Sequence, residues 1–181
     1  AAINGYTRVV RLLIDAGAEV NIQEGRGDTS VNIAAKNGYI QIVRLLIGAG
    51  ADLNIEHDGG WPPLTGAASN GHLQVVQLLI NAGANINPEG DDHSPFFAAV
   101  SNNRVEIARL LLENGADINK TVNIFGMRPL TALSMAMTNQ RAMEMRGMTD
   151  DIAKAKEIIN MIRNHILLKD AKQAILIAEA N

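Results

Sequence analysis

The sequence predicts an all-α solenoid: a row of helix–turn–helix units joined by β-turn fingers, about five units long, with an extended helical C-terminal end. Three observations carry this reading. Four segments share one register, opening at Asn4-Gly5-Tyr6, Asn37-Gly38-Tyr39, Asn70-Gly71-His72 and Asn102-Asn103-Arg104 and closing at Asn21, Asn54, Asn87 and Asn119. The glycines inside them, Gly17, Gly50, Gly83 and Gly115, are spaced by 33, 33 and 32 residues, a period belonging to stacked supersecondary units. Within each unit the apolar residues recur at helical spacing, and the segments between units are too short for a further element.

Taken in order, the first helix of each unit starts near Ser30, Pro63, Pro95 or Pro129. Proline is tolerated there because the first helical turn needs no donor from it. The pairs Ala34-Ala35, Ala67-Ala68 and Ala98-Ala99 are small enough for neighbouring helices to approach closely. Asn37-Gly38 and Asn70-Gly71 supply a tight turn with a left-handed position. The second helix carries Ile40, Val43, Leu46 and Ile47, and Gly50 terminates it. Segments such as Ala51-Asp52-Leu53-Asn54 then run out as fingers.

Composition narrows the function classes. Apolar residues make up 47% of the 181 and charged residues 19%, which favours a packed core over disorder. Aromatics are 3% and the net charge is −3, a poor fit to base stacking or to phosphate neutralisation. The absence of cysteine removes disulfides, thiolate metal sites and cysteine nucleophiles. No apolar run approaches the roughly 20 residues of a membrane span, and Ala1–Gly5 lacks the basic and apolar regions of a signal peptide. A cytoplasmic, reducing setting is the expectation.

The two ends depart from the pattern. The first unit begins inside its first helix, and no polar N-terminal cap of the kind solenoids use is visible. This start suggests a chain cut from a longer protein or a worn cap. Residues 1–126 form the regular repeats, and residues 127–181 are expected to form a divergent last repeat with a long insertion and a C-terminal capping helix. In that last unit Arg128-Pro129-Leu130-Thr131-Ala132 opens normally, but Leu133 replaces an alanine and there is no turn glycine. All seven methionines lie between Met127 and Met161, and the net charge is −5 before residue 127 and +2 from there on. Ile152, Ala155, Ile158, Ile159, Ile162 and Ile166 form one helical stripe; Leu168, Ala171, Ile175 and Ala178 form another, assigned to a separate final helix. That helix is expected to cover Ile158, Ile159 and Ile162.

Catalytic constellations are missing. There is no Gly-rich phosphate loop, Gly-x-Ser-x-Gly elbow or His-Glu-x-x-His sequence. Asp91-Asp92-His93, with Glu89 nearby, and Glu56-His57-Asp58 are the nearest approaches to a metal cluster. Side-by-side residues on a turn do not supply the tetrahedral set that zinc requires. The sequence therefore calls for no enzyme activity, cofactor or metal.

The repeat resembles the ankyrin repeat, with its Thr-Pro-Leu-His-x-Ala-Ala first helix, Gly-His turn, Val-x-Leu-Leu-Leu second helix and Gly-Ala-Asp-Val-Asn finger. The matching segments are Pro62–Ala68, Gly71-His72, Val75–Ile80 and Gly83-Ala84-Asn85-Ile86-Asn87, and the likeness runs from residue 1 to about 136. It implies a structural role for His72 and a non-catalytic protein-interaction scaffold that binds through its concave face of fingers and exposed first-helix positions. By motif register that face includes Arg26, Asp28 and Lys36; Glu56, Asp58, Trp61 and Asn70; Glu89, Asp91, His93 and Asn102; and Asn123, Phe125 and Met127. The partner implied is a protein, not nucleic acid, a membrane or a small-molecule substrate. The alternative is a targeting or substrate-recognition module of a larger multidomain protein, an enzyme or a secreted effector. Such arrays also occur in proteins that intracellular bacteria deliver into host cells.

Two features sharpen the partner. The finger acids are Glu24, Asp28, Glu56, Asp58, Glu89, Asp91 and Asp92, against Arg26 as the one finger base, which points to a basic segment. Trp61, the single tryptophan, occupies a finger position that is usually polar. It reads either as an interface anchor or as a staple packed on Pro62.

Overall fold

The computed structural model describes residues 1–23, 27–55, 61–89, 94–122 and 130–179. After a 3₁₀ turn at Ala2–Asn4, α1 spans Thr7–Asp15. Three helix pairs follow: α2 (Ser30–Lys36) with α3 (Ile40–Gly48), α4 (Pro63–Asn70) with α5 (Leu73–Asn81), and α6 (Pro95–Ser101) with α7 (Val105–Glu113). Two short strands, β1 (Thr121–Val122) and β2 (Leu130–Thr131), precede α8 (Ala132–Arg146) and α9 (Thr149–Glu179).

No helix pair has a core of its own. The first helices form one row, α2 on α4, α4 on α6 and α6 on α8; the second helices form another, from α1 through α3, α5 and α7 to α9. Ala34, Ala35, Ala67, Ala68 and Ala99 are completely buried in the first row, where their short side chains allow the close approach. Val31, Leu64 and Phe96 fill the space between them. Second helices are amphipathic instead. They bury Ile42, Val43 and Leu46, or Val75, Val76 and Leu79, and leave Gln41, Arg44, Gln74 and Gln77 exposed.

Hydroxyl groups start three of the first helices, while α4 starts from Pro62 with no side-chain cap. Oγ1 of Thr29, Oγ of Ser94 and Oγ1 of Thr131 accept from the amides of Asn32, Phe97 and Ser134 at 3.4, 3.2 and 3.2 Å, satisfying one orphan donor each. The fifth first helix therefore begins at Ala132, not near Pro129 as the sequence pattern suggested. Leu130 and Thr131 are drawn into an antiparallel ladder with β1, Thr121 opposite Thr131 and Val122 opposite Leu130. Pro129 lies outside the described residues.

The turns between paired helices are locked from the next unit. Gly38 takes φ +74°, and the imidazole of His72 lies directly over it. Nε2 of His72 donates to the Lys36 carbonyl at 3.0 Å. One unit earlier the Tyr39 ring covers Gly5; one unit later the Arg104 guanidinium covers Gly71 while its Nε donates to the Ser69 carbonyl at 3.2 Å. Asn103 stands where a glycine would fall next, at φ +53°, a conformation that asparagine adopts more readily than most residues.

The finger roots are tied by asparagine. Asn21 donates to the Gly50 carbonyl at 3.2 Å and accepts from the Asp52 amide at 2.8 Å. Asn54 accepts from the Asn85 amide, and Asn87 from the Asp117 amide, both at 2.8 Å. The Gly-Ala-Asp-x-Asn wording of the motif is thus a relay that fixes the spacing between successive fingers.

The C-terminal unit corrects two expectations. Its turn glycine exists: Gly147, at φ +68°, ends α8, displaced because α8 is 15 residues long where earlier first helices have 7 or 8. The second helix and the expected separate capping helix are one helix of 31 residues. No glycine or proline interrupts residues 163–178, so nothing stops the helix from continuing. Ile158, Ile159 and Ile162 are buried where α9 packs on α7 and α8. Leu167, Leu168, Ile175 and Leu176 are more than half exposed, so this part of the tail does not cover those isoleucines.

Gly38→Ala and Gly50→Ala together test the turn lock. Both sites have positive φ, so each alanine costs about 1–2 kcal/mol of backbone strain. At Gly50 nothing lies within 4 Å of an added Cβ, whereas at Gly38 it meets Nδ1 of His72 at 2.6 Å. Urea unfolding should show Gly38→Ala to be the more damaging by about 1 kcal/mol or more. Equal losses would show that the imidazole is not fixed over the turn.

Candidate functional site

Packing decides what each unit can present. In α4 every residue from Pro63 to Ala68 is buried, and in α6 every residue from Pro95 to Val100. In these two helices only the last turn reaches solvent, and in α2 the last turn is exposed as well. Lys36, Asn70 and Asn102 occupy those last turns and are exposed.

The asparagines there serve the helix ends. Nδ2 of Asn37, Asn70 and Asn102 donates to the carbonyl four residues back, Ile33, Gly66 and Ala98, at 2.8, 2.9 and 2.9 Å. These carbonyls lie near the helix ends, and those of Ile33 and Ala98 also accept the backbone amides of Asn37 and Asn102. Asn102 also donates to Oγ of Ser69 at 3.2 Å, linking two adjacent helix ends. Asn139 continues the row and was not legible in the sequence. In α8 the helix carries on past this position, and Nδ2 of Asn139 reaches the Ser101 carbonyl of α6 at 3.1 Å. The signal was Thr131, which stands eight residues before Asn139 as Ser94 stands before Asn102.

On the finger side, the Trp61 carbonyl accepts from Nδ2 of Asn32 at 3.1 Å. Asn32 is itself buried and held by a 2.7 Å hydrogen bond from Oγ1 of Thr29. The backbone of Trp61 is therefore pinned to the preceding first helix while the side chain is 44% exposed. Glu89 is exposed and lines a recess of about 210 Å³ with Asn54, Pro62, Asn85 and Pro88. Asp28 is half-buried and already has a partner within the chain. The predicted residues Arg26, Glu56, Asp58, Asp91, His93, Asn123, Phe125 and Met127 lie outside the described residues.

A second opening, about 560 Å³, lies between α7 and α9. Arg109 and Glu157 meet there at 2.6 Å, both about half exposed, so solvent screens most of the attraction. The insertion in the last unit hid this pairing from the sequence. Among the described residues no group of three or more His, Asp and Glu could hold a metal ion, and no helix is long and apolar enough to cross a membrane. Both acidic–histidine clusters of the sequence fall outside those residues.

Stacked helix pairs, left-handed turns covered by the next unit and an asparagine relay between finger roots are now in place. A family model described as ankyrin repeats (3 copies) matches residues 1–89 and again residues 31–122. The chain belongs to the ankyrin-repeat family. No curated protein matches it. Ankyrin repeats are generally protein–protein interaction modules, and the family is typically non-catalytic.

Within the ankyrin array, exposure separates Trp61 from its apolar neighbours. Leu64, three residues on, is completely buried, and Leu64→Ala should cost about 2–5 kcal/mol. Trp61→Ala should cost less than about 1.5 kcal/mol in the same denaturation experiment. A loss matching that of Leu64→Ala would make Trp61 a staple of the fold.

Proposed function

We propose that this ankyrin array is a non-catalytic scaffold in a cytoplasmic, reducing setting, holding a protein partner against its fingers and first-helix ends through a basic segment of that partner. The observation that carries the reading is the charge of the fingers, seven acidic residues to one basic in a chain whose total is only −3. Fixed like charges on one side of a rigid array raise the encounter rate of an oppositely charged partner, and salt weakens the effect. The asparagine relay supports it by holding the roots of successive fingers at constant spacing. Trp61 supplies what charge alone lacks. A flat side chain on a pinned backbone has little conformational freedom left to lose and much apolar area to bury.

Peptides selected from a random display library against the purified chain test this reading. The selected sequences should be rich in lysine and arginine. Changing Glu56, Asp58, Asp91 and Asp92 together to their amides should slow association with those peptides about tenfold at low salt and much less at high salt. Trp61→Ala should weaken binding by about 2 kcal/mol or more, chiefly through faster dissociation. Selected peptides without a basic bias, or association rates unchanged in the four-fold variant, would overturn the electrostatic reading.

A further inference from the structure

Asparagine side chains tie the finger roots at Asn21, Asn54 and Asn87 and close helix ends at Asn37, Asn70 and Asn102. Asn160 and Asn164 on α9 are different. Both are exposed, and among the described residues neither makes a hydrogen bond. They stand four residues apart on one face of the helix, and that face is a wall of the 560 Å³ groove between α7 and α9. A further helix stacked in this row would meet the flank of α9 turned away from α7 and leave the groove open.

The lining of the groove indicates what fits it. Leu112 is buried and Met161 half-buried, and together they give it an apolar floor. Toward one end Arg109 and Glu157 pair with each other at 2.6 Å. One turn further along α7, Glu113 is exposed and has no ion pair among the described residues. Each free carboxamide offers an N–H donor and a carbonyl acceptor, the complement of the C=O and N–H that one residue of an extended chain presents on one edge. The two carboxamides are about 6 Å apart along α9. Residues i and i+2 of an extended chain, whose main-chain groups point the same way, are about 6.6 Å apart. A helical segment spends those groups on its own ladder and would leave both carboxamides unmet.

We propose that the α7–α9 groove binds an extended polypeptide segment of a partner protein. Asn160 and Asn164 pair with the main chain of two alternate residues of that segment. One of its apolar side chains packs on Leu112 and Met161, and a lysine or arginine faces the unpaired carboxylate of Glu113. Main-chain pairing supplies affinity without regard to sequence, while the floor and Glu113 select among sequences. The groove follows the row of second helices and leaves the fingers and first-helix ends free, so the array can hold a second polypeptide there. This site is separate from the finger reading and does not depend on it.

A display library of random peptides is the probe. The bait is the full 181-residue chain carrying Trp61→Ala, Glu56→Gln, Asp58→Asn, Asp91→Asn and Asp92→Asn, which removes binders of the fingers. Enriched peptides should combine an apolar residue with a lysine or arginine. In fluorescence anisotropy, adding Asn160→Ala and Asn164→Ala together should raise their dissociation constants about tenfold or more. Glu113→Lys should raise them about threefold or more. Both asparagines are exposed on a helix, where alanine is favourable, and circular dichroism confirms that each variant is folded. N-methylation of the peptide main chain should abolish binding at two alternate residues and spare the residue between them. A library without enrichment, or peptides indifferent to the paired asparagine change, would overturn the proposal. So would binding that tolerates N-methylation at every position, because the main chain would then not be read. Each of these results leaves the finger reading standing, since the bait excludes it.

Discussion

In this molecule the apolar flanks of each inner helix pair are covered by the neighbouring pairs. The side chain over the turn shows how that constraint is met in detail. Tyr39, His72 and Arg104 differ chemically, yet each lies against the turn of the preceding unit, and a side chain on that turn would hold the units apart. Glycine at Gly5, Gly38 and Gly71 therefore serves two needs, a left-handed φ and room for the neighbour's side chain. The stacking that follows leaves α4 and α6 only their last turn in solvent.

Much of this was legible in the sequence because the repeat is itself a physical record. A spacing of 33, 33 and 32 residues between Gly17, Gly50, Gly83 and Gly115 can hold only if each unit meets its neighbour in the same way. Helix pairing, turn glycines and the ankyrin resemblance all followed from it. The last unit was read less well. Pro129 looked like a helix start, but a two-residue ladder between β1 and β2 takes precedence and the helix waits for Thr131. Gly147 was missed because lengthening α8 carries the turn out of register. The periodic stripe of Leu168, Ala171 and Ile175 suggested a separate capping helix, although periodicity records an apolar face and not a break. With no breaking residue after Ile162, α9 continues instead.

The candidate face was legible to a different extent. Motif register selected Lys36, Asn70 and Asn102, and all three are exposed at first-helix ends. Register could not reveal that Asn70 and Asn102 use their amide donors to close those ends, since a capping asparagine and a binding asparagine look alike in sequence. Asn139 escaped for the opposite reason, its register being hidden by the longer helix. The division of labour is physical: buried alanines and turns covered by the next unit fix the scaffold, and the fingers carry the variation.

The central claim is that a partner is held on the finger and first-helix side, and Trp61 offers a direct report on it. As the single tryptophan in the chain, it gives an emission signal from that side alone. Its 44% exposure leaves room for a change on binding. Titrating the chain with a selected lysine- and arginine-rich peptide that lacks tryptophan should shift the Trp61 emission to shorter wavelength and protect it from acrylamide quenching, saturating in step with calorimetric binding. Saturable binding that leaves both the emission and the quenching of Trp61 unchanged would contradict the account, because the peptide would then occupy another surface.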